Sequence, residues 1–404
     1  MSNKHNNVLT SPNGPLMPER ISPIIAAFPR HPLRYLWSLK GPMYLVLADF
    51  DRLFSHGRNA LYWGMKCSSS SLDKIVWVPA FHCGVEVQAV LDAGFEVGFY
   101  RIRQDLSIDE NDLEKKLVER PGPVMIIHYF GFAQPSTIEL VGLCANKNVM
   151  LIEDCSHALF STYKDHPLGQ FGHFSIYSLY KTLGLCDGGA LLMNHRQFSD
   201  LPVCTLPRGR PSLYGYRIQM RYLIKKALRP WLSSRLQAMS STGRRQTMHS
   251  SLLRTNSAPN ARLQSGHDYR GGMSLLSKRL ASTMDPALIV RARRENWQYL
   301  QEHLAPLAGY RNVFSVLEEG VCPLYFPILT SRREELQNIL LSKNIESFIF
   351  GRYPHPLLDE NSFPEVRALR EGILCLPLDQ YIERSDLKRL VDAVASFLGK
   401  HELD

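Results

Sequence analysis

Residues 124–154 read VMIIHYFGFAQPSTIELVGLCANKNVMLIED, and the fold class follows from them. Two apolar runs, VMIIHYFG (124–131) and VMLIEDCS (149–156), flank TIELVGLCANKN (137–148), whose apolar residues recur at helical spacing. Strand, helix and strand in this order make a crossover unit. Near-continuous apolar strands mean burial on both faces, hence a mainly parallel sheet wrapped by helices. The pattern extends in both directions. VWVPAF (76–81), FEVGFYRI (95–102) and ALLMN (190–194) read as further strands. EVQAVLDAG (86–94) and ENDLEKKLVER (110–120) read as helices, with Gly94 where a helix-ending glycine belongs. Farther on, MSLLSKRLASTM and PALIVRARRENWQYLQEHLAPL (286–307) have helical periodicity. The tail sets strands LYFPILT (324–330) and ILCLPLD (373–379) among helices REELQNILLSKN (333–344) and SDLKRLVDAVASFLGK (385–400). The expectation is a large α/β domain over 26–200 and 266–309, a smaller C-terminal α/β domain over 310–404, a tail over 1–25 and an insert over 201–265.

Composition narrows the class. With 45% hydrophobic and 21% charged residues in 404, the chain buries a core, which excludes wholesale disorder and fibrous architecture. No stretch approaches the ~18 uninterrupted apolar residues of a membrane span, and the opening residues lack the apolar core of a secretory signal, so the expected compartment is the cytoplasm. Eight cysteines are scattered without a CxxC pair or zinc-ligand spacing and read as reduced thiols. The net charge of +9 is local: residues 201–265 hold twelve Lys and Arg and no acid, and removing them leaves −3. The positive field belongs to this basic, partly flexible insert and not to the fold. No zinc-finger, helix-turn-helix or aromatic-basic sheet motif accompanies it, so no specific nucleic-acid partner is expected. Its segment 211–232 carries Arg217, Arg221, Lys225 and Arg229 four apart beside an apolar flank. Such a helix suits peripheral contact with an anionic membrane, a phosphorylated substrate, or packing on the body with its arginines solvated.

The chemistry concentrates in 151–192, LIEDCSHALFSTYKDHPLGQFGHFSIYSLYKTLGLCDGGALL. Asp154 ends a buried apolar strand, where open α/β sheets present ligand-binding groups. Lys181 follows in a strand-like run, and the turn Asp187-Gly188-Gly189 lets the chain re-enter the sheet closely. A plain salt bridge between Asp154 and Lys181 satisfies the spacing. So does pyridoxal 5′-phosphate (PLP), whose aldehyde takes a lysine amine and whose pyridine nitrogen is kept protonated by an aspartate.

These residues resemble the DegT/StrS family of PLP-dependent sugar aminotransferases, of fold type I. The family's strand-end Asp followed three residues later by Gln or His matches Asp154 and His157. Its cofactor lysine, followed six residues later by an acid and Gly-Gly, matches Lys181, Asp187, Gly188 and Gly189. VPAFHC (78–83), HYFG (128–131), SHGRNALYWGM (55–65), FGRYPHPLL (350–358) and CLPLD (375–379) resemble further family elements. The resemblance implies PLP as cofactor, with Lys181 as Schiff-base anchor and proton carrier and Asp154 on the pyridinium. It implies His157 on the ring's phenolic oxygen, and Gly57, Arg58 and Asn59 at a helix start on the phosphate. It also implies a serine before the lysine. The usual position is Ile176, so Ser178 and Ser175 are the candidates. The aromatic residue that many members stack on the ring is Cys83 here, leaving His82 or Phe81 to cover it. Arg270 stands in a loop that crosses to the other subunit in relatives, and a homodimer is implied.

The implied function is amino transfer from an amino acid, glutamate or glutamine, to a nucleotide-linked keto-sugar for surface polysaccharide or secondary-metabolite sugars. The alternatives are a sugar dehydratase of the same family, against which Lys181 argues because such dehydratases carry histidine there, and a non-catalytic scaffolding or regulatory member.

Overall fold

A computed structural model describes residues 47, 50–68, 74–194 and 267–398. The tail over 1–25 and the insert over 201–265, with its expected flexibility and membrane contact, lie outside the described residues. The apolar runs form the centre of a seven-stranded sheet: β1 (Arg52–Phe54), β2 (Ile75–Pro79), β3 (Glu96–Tyr100), β4 (Val124–Ile127), β5 (Leu151–Asp154), β8 (Phe174–Tyr177) and β9 (Gly189–Met193). They lie in the order β1-β9-β8-β5-β4-β2-β3. Every residue of β2, β4, β5 and β8 is buried, as their near-continuous apolar character requires. β2, β3, β4, β5 and β8 pair in parallel, and β9 runs antiparallel to both β8 and β1. The hairpin β6 (Thr162–Tyr163) and β7 (His166–Pro167) stands outside the sheet.

Helices α1 (Gly57–Ser68), α2 (Val85–Asp92), α3 (Glu110–Glu119) and α4 (Thr137–Asn146) connect these strands. α3 starts at Asp109, whose carboxylate accepts the Asp112 amide. Gly94 adopts φ +95 just past α2, the left-handed conformation expected there. α5 (Leu179–Leu183) carries Lys181, so the lysine stands on a short helix and not in the strand-like run read from sequence. The strand of that stretch is β8, immediately before it.

After α6 (Leu275–Ala281) and the long α7 (Pro286–Leu304), begun by an Asp285 cap and Pro286, the chain builds a three-stranded antiparallel sheet. Its strands are β10 (Arg311–Asn312), β11 (Tyr325–Leu329) and β12 (Ile373–Pro377), accompanied by α8 (Arg333–Ser342), α9 (Pro364–Gly372) and α10 (Arg384–Leu398). One continuous apolar core joins it to the large sheet, running from Ile75, Tyr100 and Ile126 through Trp297 to Phe326, Leu374 and Val394. Cys83, Cys144, Cys155, Cys186, Cys322 and Cys375 are free thiols. Cys67 departs from the expected reduced state: it is disulfide-bonded.

Candidate active site

Because β2, β4, β5 and β8 are parallel, their C-terminal ends open on one sheet edge, and the residues following them converge there. Asp154 pairs in register with Ile176, five residues before Lys181, so the acid and the lysine leave neighbouring strands side by side. Asp154 is 6% exposed, and its Oδ1 accepts the Ser156 amide at 2.8 Å. Lys181 is half-buried, and its charge acts on His157, Cys83 and Glu86, as that of Asp154 does on the last two.

His157 is held as a neutral donor. Burial first, and the Lys181 charge second, push its pKa well below the usual histidine range. The Phe130 amide donates to Nδ1 at 3.4 Å, which leaves the proton on Nε2. Phe130 adopts φ +58, a costly conformation for a bulky residue, and its ring stacks on the imidazole with centroids 5.5 Å apart. Tyr129, Phe81 and Phe350 continue this aromatic wall.

The start of α1 meets the start of α5. An added Cβ at Gly57 would lie 2.6 Å from Ser178 Oγ and 3.3 Å from Ser156 Oγ. The space between the helix start and two hydroxyls therefore exists only because position 57 has no side chain. Ser175 sits elsewhere, on β8 against the turn at Gly169. Asn59 needs correction as an amide donor to a phosphate: its N–H is spent on His56 O at 3.1 Å. Its side chain instead bonds His267 and the Asp268 carbonyl. Gly188 and Gly189 fulfil the close re-entry read from sequence. Gly188 has φ +145, and a Cβ at Gly189 would lie 2.1 Å from the His56 carbonyl carbon. Asp187 accepts the amide and hydroxyl of Ser274, tying the turn to α6.

His82 does not act as a ring cover. Its Nδ1 donates to Pro79 O, its Nε2 accepts the His355 amide, and its ring stacks on Phe99 at 5.2 Å. Burial and Arg370 lower its pKa to about 3, so it is a neutral packing residue. Cys83 remains at the site, its thiol pushed up to about 12 by burial and then by Glu86. His128, Glu153 and Cys155 cluster closely enough to hold an ion, yet the His128 and Glu153 atoms are already engaged. His128 Nδ1 accepts the Gln134 amide and its Nε2 faces Glu153, whose oxygens also accept the amides of Gly169, Phe171 and Gly172. This network fixes the loop behind the site.

Residues 53–211 match the model of the DegT/DnrJ/EryC1/StrS aminotransferase family. The resemblance read from the motifs is thereby shown. Among curated relatives, a UDP-4-amino-4,6-dideoxy-N-acetyl-beta-L-altrosamine transaminase of Campylobacter jejuni is 33% identical over 130 residues, 31% of this chain and 34% of its own. A dTDP-3-amino-3,6-dideoxy-alpha-D-galactopyranose transaminase of Aneurinibacillus thermoaerophilus is 25% identical over 71% of this chain and 69% of its own. The chain thus spans about a third of the first relative's length. Among solved structures, the PLP form of Spr1654 from Streptococcus pneumoniae aligns with a TM-score of 0.64 and 13% identity over 93% of this chain and 99% of its own. The fold is that of fold type I PLP aminotransferases, as expected. The residues present fit PLP: a buried carboxylate, a nearby lysine, a neutral imidazole donor and a two-serine cradle at a helix start.

Three contributors escaped the sequence reading. Ser156 hides inside the Asp154–His157 motif. Glu86 reads as an ordinary acid in a helical first turn. Arg293 looks like one charge among several in α7, yet it is fully buried. It donates to the Thr182, Pro323, Leu324 and Leu378 carbonyls and to Gln380, joining the lysine helix to the smaller sheet.

Proposed function

We propose that the chain is a PLP-dependent aminotransferase that moves an amino group from an amino acid, glutamate or glutamine, to a keto-sugar carried on a nucleotide. The observation that carries this reading is the convergence of Asp154, His157, Ser178, Ser156 and Lys181 at one sheet edge. When bound, PLP supplies an electrophilic carbon and an electron sink. Asp154 holds its pyridine nitrogen protonated, and the Ser156 amide on Oδ1 keeps the carboxylate oriented. His157, neutral with its proton on Nε2, donates to the phenolic oxygen. The start of α1 at Gly57 and Arg58, with Ser178 and Ser156, receives the phosphate by helix dipole and hydroxyl donors. The Lys181 amine would anchor the cofactor and, once released, would accept and return a proton at Nζ. The aromatic wall of Phe81, Phe130 and Phe350 excludes water from this transfer.

The names of the relatives, transaminases of UDP- and dTDP-linked sugars, support the acceptor class; a place in surface-polysaccharide or secondary-metabolite sugar synthesis is part of the proposal. Completion of the site across a two-fold, with Arg270 at the neighbour's phosphate, belongs to the same proposal, as does cytoplasmic residence. Screening keto-sugar nucleotides with glutamate and glutamine, with products read by mass, tests it. Amination by the wild type and none by Lys181→Ala is expected; turnover that survives in the variant rejects the mechanism.

A further inference from the structure

Glu86 is an unused carboxyl inside the candidate site. It stands in the first turn of α2, the helix that follows β2 after the loop 80–84, and is 6% exposed. Its Oε1 accepts the Cys83 amide at 2.8 Å, an ordinary cap interaction. Its Oε2 is buried without any hydrogen-bond partner. A buried acceptor left unsatisfied is costly, so the position calls for a ligand, a proton or both. The groups around it come from five elements: Cys83 from its own loop, Asp154 from β5, Lys181 from α5, Tyr129 after β4 and Arg370 from α9. Both carboxyls are buried and the Asp154 charge acts on Glu86, which disfavours ionisation of Glu86. Asp154 has the Ser156 amide to stabilise its charge, whereas Glu86 Oε2 has no donor.

We propose that Glu86 is a positioning residue that holds a proton in the ligand-free site and releases it to solvent when a cationic ring is seated between Asp154 and Lys181. This rests on the PLP reading of the site. Burial, with Asp154 next, raises the Glu86 pKa to about 7, so the proton is present in the ligand-free protein near neutrality. A pyridinium in the site supplies the missing positive charge, returns Glu86 to the ordinary carboxylate range, and so couples cofactor affinity to pH.

The test is the PLP dissociation constant of the full chain, read by absorbance and fluorescence from pH 6 to 8, for wild type and Glu86→Gln. Glutamine keeps the oxygen that accepts the Cys83 amide, so the helix cap survives. Relative to the variant, wild-type affinity should rise about tenfold across this range, as a pKa moving from about 7 into the usual carboxylate range dictates. Proton release on PLP binding, measured calorimetrically in buffers of different ionisation enthalpy, should be smaller in the variant. A pH-independent ratio of the two dissociation constants with equal proton release overturns the proposal and leaves Glu86 a cap. Failure of the wild type to bind PLP at any pH overturns the PLP reading with it.

Discussion

Replacing Arg293 with Met keeps the aliphatic stem and removes the guanidinium that joins the lysine helix to the smaller sheet. In the native protein this fully buried group donates to the Thr182 carbonyl at 3.1 Å, to Leu378 at 2.7 Å, and to Pro323 and Leu324 at 3.1 Å each. Its Nε donates to Gln380, whose amide also reaches the Thr182 carbonyl. The variant therefore strands three buried carbonyls, while Thr182 keeps its Gln380 bond. At about 1–3 kcal/mol for each buried group left without a partner, less the desolvation relieved by removing a buried charge, the expected loss is about 3–5 kcal/mol. Urea unfolding at fixed protein concentration measures it, with PLP affinity measured on the folded fraction. Because Thr182 adjoins Lys181, cofactor affinity should fall as well. A change below about 1 kcal/mol, with unaltered PLP binding, would refute the claim that this side chain ties the lysine helix in place.

Other outcomes follow from the same geometry. Gly189→Ala should fold poorly or lose PLP affinity, since its Cβ would sit 2.1 Å from the His56 carbonyl carbon; fluorescence titration with PLP checks this. Ser178→Ala and Ser156→Ala should each raise the PLP dissociation constant about five- to tenfold, at about 1 kcal/mol per hydroxyl lost; equal binding in both would remove the serines from the cradle. Glu86 also makes ligand-free stability pH-dependent. Its pKa is about 7 in the folded chain against 4.5 ordinarily, so the folded state holds the proton more tightly. Its contribution is fully present below pH 4.5 and is lost as pH rises through 7, by about 3 kcal/mol. Melting curves of apoprotein should show this decline in wild type minus Glu86→Gln, and a flat difference would contradict it.

The parallel sheet was legible because β2, β4 and β5 are apolar on both faces, a pattern that belongs to strands covered by helices. β8 and α5 were not separated: FSIY contains a serine and spans four residues, and a five-residue helix is too short to display a period. Within the site, Asp154, His157 and Lys181 were readable through their resemblance to a family motif, whereas spacing alone left a plain salt bridge between Asp154 and Lys181 open. Ser156 and Ser178 were not fixed as a pair, since their meeting depends on how closely α1 approaches α5. Glu86 and Arg293 were hidden for a common reason. A charge in a helix reads as solvated until the fold shows it buried, and the donors and acceptors that decide its role come from residues far along the chain. His82 erred the other way: proximity to Cys83 suggested a ring cover, but its nitrogens are consumed by Pro79 and His355.

The most direct test is to reduce PLP-loaded protein with borohydride and map the modified peptide by mass spectrometry. A single pyridoxyl adduct on Lys181 is expected, absent when Asp154→Ala abolishes cofactor retention. An adduct on any other lysine, or none on protein that binds PLP, would contradict it.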